Sequence, residues 1–345
     1  MVGNYLKFME DKEYRDLPYP SYSLLKELEE KGPSILLGSP KKASKALSFG
    51  SMVDVLLTEP EKKDEIYYTK PLPQVSDTIK KIADTLIIEI IMMGKSKEVA
   101  LSDENILKVM DTLGIYSSFK DDTKLNKINE SPLFDYIDIK LDCGERETVD
   151  VETMEKAEHT ANILKTSDVT KDIFIKQNDN IEIFYQPIVI FKLKNCKIKV
   201  KLDVVRVDNV CKIIDIYDIK TGTVIPSQFI HNFYRFKYWL QAIIQTLAIE
   251  HVVMQIERDT AKEMMYKTNS FGFIYASKSM PNNPCIINVP FKFLTQFTDS
   301  WYYGEEKKKG LMELIDDYVF YTNSGIFDCE RIVIENNGKL NITDL

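Results

Sequence analysis

The segment Val210 to Lys220, Val-Cys-Lys-Ile-Ile-Asp-Ile-Tyr-Asp-Ile-Lys, constrains this chain more than any other. Its β-branched density predicts a strand, and its apolar residues ask for a sheet covered on both faces. Yet it ends in Asp218-Ile219-Lys220, followed by Thr221-Gly222. Residues two apart on a strand share a face, so Asp218 and Lys220 point together while Ile219 points into packing. A carboxylate beside an ammonium at a strand end suits metal-assisted hydrolysis. The carboxylate holds an ion, the lysine orients the attacking water or offsets phosphate charge, and the Ile219 carbonyl can add a ligand. Taken alone the triplet is common, and a surface ion pair would leave the same residues.

A cation site needs a second acid. Asp203, in Val200-Lys-Leu-Asp, offers one, on the same strand face as Lys199 and Lys201. Register decides whether it can meet Asp218. A tight Asp208-Asn209 turn would set 203 opposite 214, four residues short of 218, which is too far at about 3.3 Å per residue. A wider connection, roughly 208–212, would set 203 opposite 218, and this is the expected arrangement. Asp215 stays open as an alternative acid, although alternation turns it away from Lys220.

After Pro226 a helix is expected as far as about Glu250. Phe229, Phe233, Phe236, Leu240, Ile243 and Leu247 form a core stripe at helical spacing. Tyr234, Tyr238, Gln241 and Gln245 form a second stripe, flanked by Arg235 and Lys237. Such a face can hydrogen-bond phosphates and support the reacting water. The net charge of −8 seems ill-suited to a nucleic-acid partner, but it hides an asymmetry. Residues 187–245 carry ten Lys/Arg against four acids, and the rest of the chain carries 35 against 49. Local field rather than net charge steers a polyanion, so Lys199, Lys201, Arg235 and Tyr238 are the candidate DNA contacts.

Other features narrow the chemistry. Cys143, Cys196, Cys211, Cys285 and Cys329 show no Cys-x-x-Cys spacing, and there are only three histidines. Carboxylates must therefore carry any metal chemistry, which favours Mg²⁺ or Mn²⁺. The longest apolar stretch, Leu86 to Met93, contains Glu89 and is too short to span a bilayer. The opening residues lack a signal-peptide core, so a cytoplasmic protein is expected. Helices are expected from Ser21 to Gly32 and from Ser48 to Pro60, and through most of 76–165, with an irregular stretch at Lys120–Glu147. Strands are expected at Ile181–Lys194, Lys197–Val207, Val210–Lys220, Phe271–Ser277, Cys285–Val289 and Arg331–Glu335, with a helix near Phe291–Tyr318. The sum is an α/β fold, a central mixed sheet flanked by helices.

The ordered set Tyr19-Pro-Ser21, Phe49-Gly-Ser-Met-Val-Asp54, Val200-Lys-Leu-Asp203, Asp218-Ile-Lys220-Thr221 and Tyr238-Trp-Leu-Gln241 resembles the PD-(D/E)XK nuclease superfamily. Within it, the resemblance is to the phage-type RecE-like (exonuclease VIII) and lambda-exonuclease-like branch. It covers about residues 19–245. It implies a restriction-endonuclease-like core at 171–345, with helices of 1–70 contributing to the site and a helical insertion at 71–170, all in one nuclease domain. It also implies a Mg²⁺-dependent exonuclease that degrades linear duplex DNA from an end, often alongside a single-strand annealing protein and in relatives as a ring, in a bacterial host as a phage or prophage product. Residue by residue, Asp203, Asp218 and Lys220 match the motif, Gln241 matches the glutamine of the following helix, and Glu182 matches an upstream acid. Two positions depart from it. Asp54 stands where many relatives carry a metal-binding histidine, and is read as a substituted ligand. Gln245 stands where relatives often have tyrosine. An endonuclease or single-strand nuclease of the same fold, or a silent DNA-binding protein, are the competing readings.

Overall fold

Four short strands stand where two long ones were expected. In the computed structural model, which describes residues 1–38, 45–261, 265–278, 280 and 282–339, these are β1 (Ile181–Tyr185), β2 (Ile188–Leu193), β3 (Cys196–Lys201) and β4 (Val204–Asp208). The breaks fall opposite each other, at Gln186-Pro187 and at Leu202-Asp203. Pro187 has no N–H to give a ladder, and Gln186 takes a left-handed φ of 53°. The corner is closed by Gln186 N–H to the Asp203 carbonyl at 3.0 Å and Leu202 N–H to the Pro187 carbonyl at 2.9 Å. β2 and β3 continue as a separate antiparallel arm, while β1 and β4 stay in the main sheet.

That sheet has five strands in the order β1-β4-β5-β6-β7, with β5 (Ile213–Gly222) at its centre, then β6 (Lys267–Ser277) and β7 (Cys285–Val289). β5 pairs antiparallel to β4 and parallel to β6, so the sheet is mixed. Helices flank it. They are α1 (Asp11–Asp16), α2 (Tyr22–Lys31), capped by Ser21 Oγ, and α3 (Lys45–Thr58), which begins three residues before Ser48. After β5 come α4 (Phe229–Arg235) and α5 (Tyr238–Asp259). The single helix expected after Pro226 is therefore two, broken where Lys237 adopts φ 55°. α5 runs nine residues beyond Glu250 and is apolar nearly all round, with Trp239, Ile244, Ile249 and Ile256 among its buried residues. Burial of side chains of this size contributes about 1.5–3 kcal/mol each, so tertiary packing extends the helix.

The C-terminal expectations also change. The helix expected over Phe291–Tyr318 is interrupted by a short hairpin, Trp301–Tyr303 with Glu306–Lys308, that turns at Gly304 (φ 64°). Helix resumes at Leu311–Ser324. Arg331–Glu335, expected as a strand, is a short helix bridged by its own Arg331–Glu335 ion pair.

The chain divides into two compact units, Met1–Glu59 with His159–Leu345, and Pro60–Glu158. The second is helical and has its own core, including Ile82, Leu86, Ile106, Met110, Ile128 and Ile137. Ser76, Ser96 and Ser102 cap its helices. The expected irregular stretch at 120–147 is instead mostly two helices, Asp121–Asn129 and Leu133–Cys143. Ile128, Leu133, Tyr136 and Ile137 are buried there, and the polar residues between them masked the period. Among the described residues no helix is long and apolar enough to cross a membrane.

Candidate active site

The connection between β4 and β5 sets the register. Asp208 pairs with Ile213, so four residues, Asn209 to Lys212, make the turn. Asp208 Oδ1 accepts from Val210 N–H at 2.9 Å and Cys211 N–H at 2.8 Å, and Lys212 closes the turn at φ 56°. Val204 then faces Tyr217, and the same register continued by one residue sets Asp203 opposite Asp218. The corner at Leu202-Asp203 frees the Asp203 carboxylate from the ladder, and its Oδ2 accepts Ile219 N–H at 2.8 Å. The observed contact of Ile219 with the site is thus its N–H, not the carbonyl expected to act as a ligand.

Asp218 is fully buried. Lys220 Nζ lies 2.5 Å from its Oδ2 in an ion pair. On the other oxygen, Oδ1, it accepts from the side-chain amides of Gln241 and, at 3.2 Å, Gln245. The Lys220 ammonium sits over the ring of Tyr238 at 4.9 Å and of Phe273 at 5.9 Å. α3 brings Asp54. Its two carboxylate oxygens accept from Gln186 Nε2 at 3.1 and 3.0 Å. Close approach of α3 is permitted by Gly50, where a Cβ would lie 3.3 Å from Thr221 Oγ1.

Charge is poorly balanced in this space. Burial, reinforced by the Asp218 and Asp54 charges, pushes the Asp203 carboxyl well above its ordinary range, against Lys220 and the Ile219 N–H. Burial pushes Asp54 up to about 7; Lys201 opposes this and Asp218 adds to it. Burial pulls Lys220 down, but the Asp218 and Asp203 charges outweigh it and leave its ammonium held above its usual value. The charges of three carboxylates thus bear on one another, with the Lys220 ammonium paired to one of them. Such a site favours protons or a further cation.

The donor set fits a hard divalent cation in kind: carboxylate and amide oxygens with no soft ligand. Gln241 Oε1 and Gln245 Oε1 are buried without a hydrogen-bond partner, an expensive condition for atoms with nothing to bind. As the side chains lie, no three His, Cys, Asp or Glu among the described residues close on one point. Lys220 stands on Asp218 and Gln186 on Asp54, so those oxygens are already engaged.

The other expected residues divide. Tyr238 is at the site, but its ring carries Lys220 and also packs against Phe229 and Phe273. Lys199 is not available to DNA. It is buried, and its Nζ donates to the carbonyls of Tyr14, Arg15 and Leu17 at 2.7–3.0 Å, at the end of α1. It stands on β3, in the separate arm, and nothing local in the sequence marks that α1 ends on it. Lys201 is paired with Asp11 at 2.6 Å. Arg235 is exposed over Phe236. Glu182 faces Val207, near the end of β4 remote from Asp203, and accepts from Asn209 Nδ2 at 2.9 Å. Asp215 points away from Lys220, to Arg206 and Asn269. Tyr234 leaves the second stripe for a cluster with Trp301 and Tyr303. Gln245, on the same stripe as Gln241 and one helical turn beyond it, joins it on Asp218. One residue was missed. Gln186 could have been found from Pro187, which forces a strand break beside it.

No family model matches the chain, and no curated protein does either. Among solved structures it is similar to one from Eubacterium rectale described as a "putative exonuclease", at 13% identity and a TM-score of 0.47, over 97% of this chain and 95% of that one. A likeness at that level assigns neither a fold family nor an activity.

Proposed function

We propose that the chain is a divalent-cation-dependent deoxyribonuclease on a PD-(D/E)XK-type core. The observation that carries this reading is the β4–β5 register, which puts Asp203 opposite Asp218 with Lys220 on the Asp218 carboxylate. Asp203, Asp218 and Asp54 would hold Mg²⁺ or Mn²⁺. Bound there, the ion would supply Lewis-acid polarisation of the phosphodiester and ease deprotonation of the attacking water. Lys220, charged and held against Tyr238, orients that water and offsets phosphate charge as the bond breaks. Gln241 and Gln245 fix the rotamer of Asp218, and Gln186 fixes that of Asp54. None of the three histidines makes a contact in this cluster. His159 meets Asn282, His251 packs by Phe191, and His231 is exposed. The reading therefore assigns no histidine general acid.

The finer reading follows the family resemblance: an exonuclease acting on linear duplex DNA from an end, in phage-type recombination, with a single-strand annealing protein as partner and a ring as assembly. End-labelled linear duplex and closed circular DNA, each with Mg²⁺, Mn²⁺ or EDTA, test it against Asp218→Ala and Lys220→Ala. Metal-dependent loss of linear DNA alone, abolished in both variants, is the expected result. Cutting of circles would keep the site and replace the exonuclease with an endonuclease. Folded protein that cuts neither form in any metal would overturn the nuclease reading and leave a silent DNA-binding fold.

A further inference from the structure

Five of the ten cations of the basic segment are paired with an acid, Lys220 with Asp218 among them. Lys194 pairs with Asp316, Lys201 with Asp11, Arg206 with Asp215 and Lys237 with Glu29. Three cations near Lys220 differ, in that none makes an ion pair among the described residues: Lys26 on α2, Arg235 on α4, and Lys278 just past β6. Each lies over an aromatic ring instead. Lys26 Nζ is 5.6 Å and Arg235 Cζ 5.3 Å from the centre of the Phe236 ring. Lys278 Nζ is 4.1 Å from the centre of the Phe49 ring. The acids nearest Lys26 are otherwise engaged, Glu27 with Lys31 and Glu30 with Lys237.

Two separate chains of contacts lead from these residues to Lys220. The Phe236 and Tyr238 rings are 5.7 Å apart, and Tyr238 carries Lys220. By the second, Lys278 N–H donates at 2.7 Å to the carbonyl of Gly222, two residues beyond Lys220. Phe49 adjoins Gly50, which packs on Thr221. An aromatic face attracts an ammonium without neutralising it, so each cation is positioned and still open to an anion. Burial also pulls Lys26 and Lys278 below their usual values, a cost that an anion would offset. The ring faces are taken by cations and so do not serve as platforms for bases.

We infer that Lys26, Arg235 and Lys278 form a phosphate track on which one DNA strand crosses Lys220, with backbone contacts on both sides of the bond to be cut. The contact is sequence-independent, because phosphates position and do not specify. The inference rests on the nuclease reading for its substrate, and it displaces Lys199 and Lys201 as the DNA contacts.

The test is binding of a labelled blunt duplex in EDTA, where nothing is cut, as a function of salt. Each phosphate contact contributes about 0.9 to the slope of log K against log salt. Lys26→Ala and Lys278→Ala should each lower the slope by about one, and the double variant by about two. Lys194→Ala, whose partner is Asp316, should leave it unchanged. Unchanged slopes in the folded variants overturn the track. Should a variant fail to fold, acetylation of the wild-type protein with and without duplex decides the question. Protection of Lys26 and Lys278, with Lys194 still reactive, supports the track, and equal labelling overturns it. Because cutting is measured separately, DNA cleavage with no effect at these residues removes only the track. Slope losses in a protein that never cuts leave the track and remove the nuclease.

Discussion

Asp215 and Asp218 lie three residues apart on one strand, both buried and both paired with a cation, yet their surroundings are opposite. Asp215 is answered on each oxygen: Arg206 at 3.5 Å on one, Asn269 at 3.1 Å on the other. Asp218 is answered on each oxygen as well, by Lys220 at 2.5 Å on Oδ2 and by the Gln241 and Gln245 amides on Oδ1, but the Asp203 and Asp54 carboxylates bear on the same space. The first is a closed structural pair. The second is an assembly with more negative charge than its one ammonium balances, kept by packing from α3 and α5. Carboxylates crowded together in this way are where a fold retains the means to bind a cation.

Substitutions can break the contrast, and the largest effect should fall on catalysis. Lys220→Ala should cost roughly 10²–10³ in cleavage rate, the scale for losing one electrostatic group at a reacting phosphate, and it should lower the melting temperature of the cation-free protein, because the buried Asp218 loses its ammonium. Normal turnover in that variant would put the chemistry elsewhere. Away from the site, effects should fall on stability alone. Lys199→Ala strips three carbonyls of a buried charged donor and should cost about 2–4 kcal/mol in denaturant unfolding. A cost below the measurement error would return Lys199 to the pool of DNA contacts. Asp215→Asn should cost about 1–3 kcal/mol and leave cleavage intact.

A pH dependence sharpens the same comparison. Asp54 is raised to about 7, so between about pH 4 and about pH 7 the folded state binds more protons than the unfolded chain. Its contribution to stability therefore falls as pH rises through that window. Melting of the cation-free protein should decline over this range more steeply in wild type than in Asp54→Asn, and added Mg²⁺ should flatten the wild-type slope. Parallel slopes for the two proteins would show that Asp54 is not held in this environment. The smallest effect is expected at Gln186→Ala. Here Asp54 loses its amide clamp and cleavage should slow by about tenfold, the cost of roughly one hydrogen bond in position, with Km changed less than kcat.

Much of the site could be read from local rules. Alternation put Asp218 and Lys220 on one face, and reach along the strand required a connection wider than a tight turn, expected at roughly 208–212 and found as the four residues 209–212. The Asp208 carboxylate, which accepts from the Val210 and Cys211 amides, holds that turn. What escaped depends on contacts between distant segments. Lys199 reads as a free strand cation until α1 ends on it from nearly two hundred residues away. The basic segment reads as a positive field until Asp11, Glu29 and Asp316 arrive from elsewhere. The helices in 120–147 escape for different reasons: Asp121–Asn129 has only Leu125 and Ile128 as apolar residues, and Ile137 to Cys143 alternates apolar and charged residues, a strand-like period. Phe236 and Lys237 read as continuous helix, since nothing local announces the left-handed turn that presents Tyr238 to Lys220.

The most direct test of the central claim is the cleavage rate of end-labelled linear duplex, in Mg²⁺ and in Mn²⁺, for Asp218→Asn and Asp215→Asn side by side. The account predicts that Asp218→Asn, though folded and at least as stable as wild type, is inactive in both metals, while Asp215→Asn, less stable, cuts at the wild-type rate. Equal cleavage by the two variants would contradict it.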